Sequence, residues 1–196
     1  MSFRQYFCME KLSLIIAEEQ VELMTDSNFN EDDDCFADRD LFVNNFNHGF
    51  IVITQLKVFI ESFINTILTL DEKYDKIDCS KNMYYKLEEI CKMNNIDYTA
   101  LTESTNWHTL KILSKVRNSM IHFNDSYIGH SGGIGAFVKN DVYLDGFFSK
   151  DNILDTIKCI KKLSEEICEL LGYQINSKID VFISDGLGDP VTYIYK

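Results

Sequence analysis

The chain has 196 residues, 45% of them hydrophobic, and a formal net charge of −12. This length fits one domain, and the hydrophobic share argues against an intrinsically disordered protein. The acidic balance opposes non-specific nucleic-acid binding, so any polyanionic partner would have to meet a local basic patch.

The first predicted helix covers about residues 3–24, and charged residues follow its short apolar run too soon for a cleavable signal. An acidic loop continues to residue 40. Its aspartates at 32–34 lack the Gly and Glu spacing of an EF-hand, which favours a solvated loop over a metal site. Residues 1–40 hold three cations against eleven carboxylates, a net charge of −8 that a basic protein partner could contact.

The second predicted helix covers about residues 40–70 and carries apolar residues at three- and four-residue steps, which is typical of a core helix. Polar side chains interrupt its most apolar part, residues 46–70, so we expect no membrane span. Gly49 lies on the apolar stripe, where the missing side chain would let another helix approach closely. The stripe consists of Phe42, Phe46, Gly49, Ile53, Leu56, Ile60, Phe63, Ile64 and Ile67.

Three further helices are predicted, at about residues 82–93, 105–123 and 150–171. Residues 124–146 are rich in glycine without phosphate-loop spacing and predict an irregular loop with short extended segments. The last helix has clear ends, because Ser149 can cap its first turn and Gly172 can follow its last. Phe148 and Ile153 can form a hydrophobic staple at its start.

These elements predict an all-α protein, an antiparallel bundle of four to six helices with a small C-terminal β element. We divide the chain into an N-terminal helix and acidic loop (1–40), a helical bundle (41–172) and a tail (173–196). The tail reads as two short strands around a turn, a possible β-hairpin.

Six cysteines form no C-x-x-C pair and no zinc-binding pattern with the four histidines. We therefore expect reduced, mostly buried thiols in a cytoplasmic protein, with no metal and no cofactor.

The helix at 105–123 is unusual in this acidic chain, because residues 104–124 contain no carboxylate. Lys111, Lys115, Asn118 and His122 follow one another at four-, three- and four-residue steps on the side opposite the core residue Leu113. This stripe is typical of an ordinary solvated helix face.

Arg117 lies only about 40° from Leu113 around the helix axis, beside the predicted core. A guanidinium at such a seam keeps its proton and needs an anion or a route to water. We consider two partners, the carboxylate of Glu61 in an ion pair within the bundle, or a phosphate in a cleft. His122 ends the helix, where its near-neutral pKa suits proton transfer and Asn118 can orient its ring.

The segment "RNSMIH" resembles the signature of the HEPN domain family, an Arg with a polar residue directly after it and a His four to six residues further on. Arg117, Asn118 and His122 match that signature at its shortest spacing. The likeness covers about residues 40–172. A tyrosine that one variant of the family has two residues after the His is replaced here by Asn124.

The resemblance implies a metal-independent endoribonuclease, often a toxin of a toxin–antitoxin pair or a defence factor, that works as a homodimer with two motifs lining one cleft. In this chain Arg117, Asn118 and His122 would be catalytic, RNA would be the substrate and an antitoxin protein a possible partner. Lys111 and Lys115 would bind flanking phosphates of the RNA. The alternatives are a non-catalytic helical module that binds a protein, or one that binds a nucleotide. About 140° of rotation separates Arg117 from His122, so they converge only if the helix ends, if Arg117 bends along it, or if two copies face each other.

Overall fold

A computed structural model gives the structure of most of the chain. It describes residues 5–26, 38–121, 129–131, 136–139, 142–143, 147–177, 182–184 and 193–195. The acidic residues 32–34, and His122 with the loop that follows it, lie outside these ranges.

The described residues are mostly helical, which confirms the predicted all-α class. The main helices are α1 (Met9–Glu22), α2 (Asp38–Thr69), α3 (Met83–Met93), α4 (Tyr98–Thr102), α5 (Thr105–Ile121) and α6 (Lys150–Leu171). A single 3₁₀ turn, Glu72–Lys76, connects α2 to α3. The sequence reading missed α4 and this turn, because both are too short to show a helical period.

One hydrophobic core joins α1, α2, α3, α5 and α6. From Ile53 to Ile67 the predicted stripe of α2 is buried, and so is the stripe of α6 from Ile153 to Ile167. Helix α1 contributes Leu14, Ala17 and Val21, and the tail contributes Tyr193 and Ile194 to the same core. Within the described ranges, the N-terminal helix and the tail are therefore packed into the bundle.

Gly49 provides the predicted close approach between helices. A Cβ atom at this position would lie 2.6 Å from Cδ1 of Phe148, closer than packed carbon atoms can come. The Phe148 ring is fully buried and meets the Phe46 ring edge-on, with 4.9 Å between the ring centres. The absent side chain thus lets the residue before the Ser149 cap pack directly on α2.

The ends of α6 agree with the prediction. The Ser149 side chain accepts a hydrogen bond from the backbone N–H of Asn152, and Gly172 adopts a left-handed conformation with φ of 73°. Phe148 and Ile153, the predicted staple residues, are both completely buried. Capping is a local property of the chain, so a short sequence window is enough to predict it.

Three small antiparallel sheets accompany the helices. Strands β2 (Gly129–Ser131), β3 (Ala136–Lys139) and β4 (Val142–Tyr143) form one of them, within the predicted glycine-rich segment. Strand β1 (Gln5–Phe7) pairs with β6 (Phe182–Ser184), and β5 (Gln174–Ile175) pairs with β7 (Ile194–Tyr195).

Two local predictions are corrected by these pairings. Residues 5–7 are a strand, whereas the sequence predicts the start of the first helix there. The tail strands β6 and β7 pair with β1 and β5 instead of with each other as a hairpin. In both cases the partner strand is distant in sequence, and a local pattern carries no information about it.

Within α2, Val43–Thr69 is long and apolar enough to cross a membrane by length and composition alone. More than half of its most apolar stretch is buried inside the structure. The core helix of a soluble protein meets the same criteria, so this is only a weak indication of a membrane span.

Candidate functional site

Helix α5 has the two faces that its sequence predicts. Leu110, Leu113 and Val116 are buried in the core. Lys111, Lys115 and Asn118 are exposed on the other side. This part of the charged stripe is therefore accessible to a ligand.

Arg117 lies at the border between these faces and is half-buried. One terminal nitrogen, Nη1, donates a hydrogen bond to Oδ1 of Asn118 at 3.1 Å. The Nε atom is buried and has no acceptor among the described residues. A buried donor without a partner costs free energy, so this Nε atom is an unfavourable feature of the packed structure.

Of the two partners considered for Arg117, Glu61 is not paired with it. Glu61 instead pairs with Lys57 one helical turn earlier on α2, with 3.3 Å between Nζ and Oε1. The nearer Lys57 competes successfully, because residues four apart on a helix lie side by side. Half of the Glu61 side chain remains exposed, so its carboxylate neutralises the positive charge of Lys57 only in part.

Lys57 is the functional candidate that the sequence reading missed. Its side chain is only 9% exposed. Its Nζ lies 3.1 Å from Sδ of Met83 and 5.2 Å from the centre of the Tyr84 ring, both on α3. The sequence shows Lys57 as a lysine in the middle of an apolar helix. That pattern does not reveal a buried ammonium group, because lysine often buries its stem and exposes its charged end.

Charge and burial both act on Lys57. Burial lowers the pKa of its ammonium group, the nearby Glu61 carboxylate opposes this, and the positive charge of Arg117 lowers the pKa further. The charge of Arg117 on α5 therefore acts on the ammonium group of Lys57 on α2, although burial is the largest cause of the lowered pKa.

Tyr84 of α3 connects the surroundings of Lys57 to α5. Its hydroxyl group donates to Oγ of Ser114 at 3.0 Å, one turn before Arg117 and Asn118. The Tyr84 ring also packs edge-on against Trp107, with 5.3 Å between the ring centres. Burial raises the pKa of the Tyr84 hydroxyl group, so it remains protonated and can keep this hydrogen bond. Tyr84 therefore joins α3 to α5 beside Lys57.

The structure brings some of the predicted site residues together and leaves others apart. Arg117 and Asn118 are in direct contact. Lys111 and Lys115 lie one turn apart along the exposed side of α5. His122 lies beyond the described end of α5, so its distance from Arg117 stays a matter of prediction.

The thiols and carboxylates of the described residues do not form a group of three or more that could hold a metal ion. Cys8, Cys91 and Cys168 are buried, and burial raises the pKa of each thiol, to about 11 for the first two and about 12 for Cys168. A thiol with so high a pKa is a poor nucleophile at neutral pH.

A cavity of about 410 Å³ lies elsewhere, between α1, α6 and the tail. Lys161 and Glu18 form an ion pair at its wall. Its lining includes none of the residues predicted from the motif, and it holds two lysines and two glutamates, so the charges nearly balance.

Comparisons of the chain with protein-family models, with curated proteins and with solved structures find no match. The likeness to the HEPN family therefore depends on the motif residues and on the helical architecture.

Proposed function

We propose that the protein is a metal-independent endoribonuclease of the HEPN type, with Arg117, Asn118 and His122 as its catalytic residues. The observation that supports this best is the state of Arg117. Its guanidinium group is held by the neighbouring Asn118 side chain and keeps a buried donor without an acceptor among the described residues. A guanidinium group that has no carboxylate partner among the described residues can pair with an oxyanion of the substrate.

The chemistry needs few groups because RNA carries its own nucleophile, the 2′-hydroxyl group. His122 would take the proton from this hydroxyl group or give one to the leaving oxygen. Arg117 would stabilise the negative charge that develops on the phosphorus-bound oxygens. The hydrogen bond from Arg117 to Asn118 would hold the guanidinium group in one orientation during the reaction.

The same proposal includes a biological setting that follows from the family resemblance. The protein would act in the cytoplasm as a toxin or a defence factor, without a membrane or cofactor, and an antitoxin protein would restrain it. The net charge of −8 over residues 1–40 would attract a basic partner of that kind.

RNA cleavage in the presence of a chelator is the experiment that tests the activity. We expect products that end in a 2′,3′-cyclic phosphate and a 5′-hydroxyl group, since attack by the 2′-oxygen displaces the 5′-oxygen. The products should be examined with both single-stranded and structured RNAs. If purified wild-type protein leaves all of them intact, a non-catalytic module that binds a protein or a nucleotide replaces this proposal.

We expect Lys111→Ala and Lys115→Ala each to weaken RNA binding modestly and to a similar degree for different RNA sequences. Both lysines are exposed on α5, so each would contact a phosphate without reading a base. The slope of log affinity against log salt concentration should decrease in magnitude by about 0.7 per lysine. Anisotropy with a 2′-O-methylated oligoribonucleotide, which cannot be cleaved, measures this slope. Lys162→Ala, an exposed lysine on α6, is the matched control, and an unchanged slope in both α5 variants would argue against this surface.

We also expect the protein to be a homodimer, because about 140° of helix rotation separates Arg117 from His122 in one chain. Two copies with facing α5 helices would bring Arg117 of one copy towards His122 of the other. Sedimentation velocity at micromolar concentration measures the assembly. A monomer that still cleaves RNA under those conditions would contradict the shared cleft.

A further inference from the structure

We infer that the cavity between α1, α6 and the tail binds a small zwitterionic molecule with an apolar side chain, either a free amino acid or a short peptide. The carboxylate of this ligand contacts Lys11, its ammonium group contacts Glu165, and its side chain lies on the apolar part of the lining. The lining that the structure describes includes no residue of α5. The inference is therefore independent of the proposed ribonuclease activity.

The cavity has the size of a small-molecule site. Its volume of about 410 Å³ falls within the range of about 300–1,000 Å³ that is typical of ligand pockets. Helices α1 and α6 form two of its walls, and Ile175, Ser177 and Tyr193 of the tail line a third side. Ser177 and Glu165 are exposed, so a ligand can reach the cavity from the surface.

One part of the lining is apolar. Leu14 and Tyr193 belong to the buried core, and the half-buried Ile15 and Ile175 line the same cavity. An aliphatic side chain that lies on these residues is removed from water, which favours binding. The apolar part therefore selects a ligand that has a hydrophobic group beside its charges.

The charged part of the lining consists of one ion pair and two remaining charges. Lys161 of α6 and Glu18 of α1 form the ion pair. Lys11 and Glu165 line the same cavity and have no ion-pair partner among the described residues. A phosphate or a nucleotide would be repelled by both glutamates, and a purely cationic ligand by both lysines. A zwitterion, in contrast, pairs with each of the two remaining charges.

Ser164 provides a second acceptor for the ammonium end of the ligand. This residue is only 2% exposed, lines the cavity, and donates its hydroxyl hydrogen to the backbone oxygen of Lys161 at 2.6 Å. A hydroxyl oxygen that donates its hydrogen can still accept a hydrogen bond. Ser164 and Glu165 are neighbours on α6, whereas Lys11 lies on α1. The ammonium group of the ligand therefore points to α6 and its carboxylate to α1.

Isothermal titration calorimetry on the whole chain, at constant ionic strength and neutral pH, tests the assignment. The probes are leucine and leucyl-leucine, together with leucinamide, which lacks the carboxylate, and N-acetyl-leucine, which lacks the ammonium group. The variants are Lys11→Met and Glu165→Gln. Lys162→Met and Glu169→Gln are the matched controls, because both residues are exposed on α6 and lie outside the described lining.

We expect saturable binding of at least one zwitterion to the wild type, and weaker binding of both leucine analogues. Tighter binding of leucine would identify a free amino acid as the ligand, and tighter binding of leucyl-leucine a peptide. Lys11→Met should weaken binding of the zwitterion by about three- to tenfold, since its charge is partly screened by water, and should leave leucinamide binding unchanged. Glu165→Gln should have the same effect on the zwitterion and leave N-acetyl-leucine binding unchanged. Each control should change binding by less than about twofold.

No saturable binding of either zwitterion at concentrations up to about 10 mM would overturn the assignment. Equal losses in the lining variants and their controls would overturn it too, because the effect would then come from net charge alone. The same holds if both analogues bind as tightly as leucine, since the cavity would then recognise only the apolar side chain. A partly unfolded variant would lose affinity for all four probes, so it cannot imitate a loss that is restricted to one end of the ligand.

Discussion

His122→Ala is expected to lower the rate of RNA cleavage by about 10²–10⁴-fold, because the imidazole is the proton-transfer group of the proposed reaction. Binding of a 2′-O-methylated RNA should change much less, since a lost proton transfer affects the transition state more than the bound state. Single-turnover kinetics in a chelator separates the two quantities. Equal losses in binding and rate would mean that His122 only holds the substrate.

Arg117→Ala belongs to the same prediction and should reduce the rate by a similar factor, because the charge that stabilises the transition state is lost. The ion pair with Glu61 that would have made this variant unstable is absent, since Glu61 pairs with Lys57. We therefore expect its melting temperature to stay close to that of the wild type. If the wild type does not cleave RNA and the variant only melts at a lower temperature, the results favour a structural role for Arg117.

Mixing the two variants gives an additional control. If the active cleft contains Arg117 of one copy and His122 of the other, a heterodimer of Arg117→Ala and His122→Ala retains one intact combination. Such a mixture should recover part of the activity that each variant lacks alone. Complete inactivity despite subunit exchange would place both residues of each site in one chain.

The second large effect is expected for the C-terminal tail. Tyr193→Ala should lower the free energy of unfolding by about 3 kcal/mol, a typical cost of truncating a buried aromatic side chain. Tyr193 is 8% exposed, and its ring meets Phe59 and Phe63 edge-on, with 6.1 and 6.5 Å between ring centres. The tail would thus stabilise the centre of α2.

Chemical denaturation monitored by circular dichroism measures this loss. Tyr195→Ala is the matched control, because Tyr195 lies two residues further on, in β7, but is 43% exposed. We expect it to cost less than about 0.5 kcal/mol, as surface substitutions usually do. Equal and small effects of both substitutions would mean that the tail is an appendage to a self-sufficient bundle.

The predictions that were confirmed depend on properties that are local along the chain. The 3.6-residue period is enough to identify the buried stripes of α2 and α6, and the exposure of Lys111, Lys115 and Asn118 follows from the same geometry. Ser149 and Gly172 mark the ends of α6 because capping involves only the adjacent turn.

The predictions that were wrong involve partners that are distant in sequence. The strand at residues 5–7 exists because β6, near the other end of the chain, pairs with it. Glu61 was one of the two partners considered for Arg117, and the geometry within α2 gives that carboxylate to Lys57. A sequence pattern shows which side of a helix is charged, but it does not show which other helix lies against that side.

The sequence by itself therefore determined the long helices, the buried faces of α2 and α6, and the ends of α6. Only the tertiary structure revealed that Lys57 is buried against Met83 and Tyr84 of α3, with the Tyr84 hydroxyl group bonded to Ser114 of α5. The physical reason is that helix periodicity is a property of consecutive residues, whereas the contact between α2, α3 and α5 is created by packing. Burial at that contact, which no local pattern encodes, is what lowers the pKa of the Lys57 ammonium group.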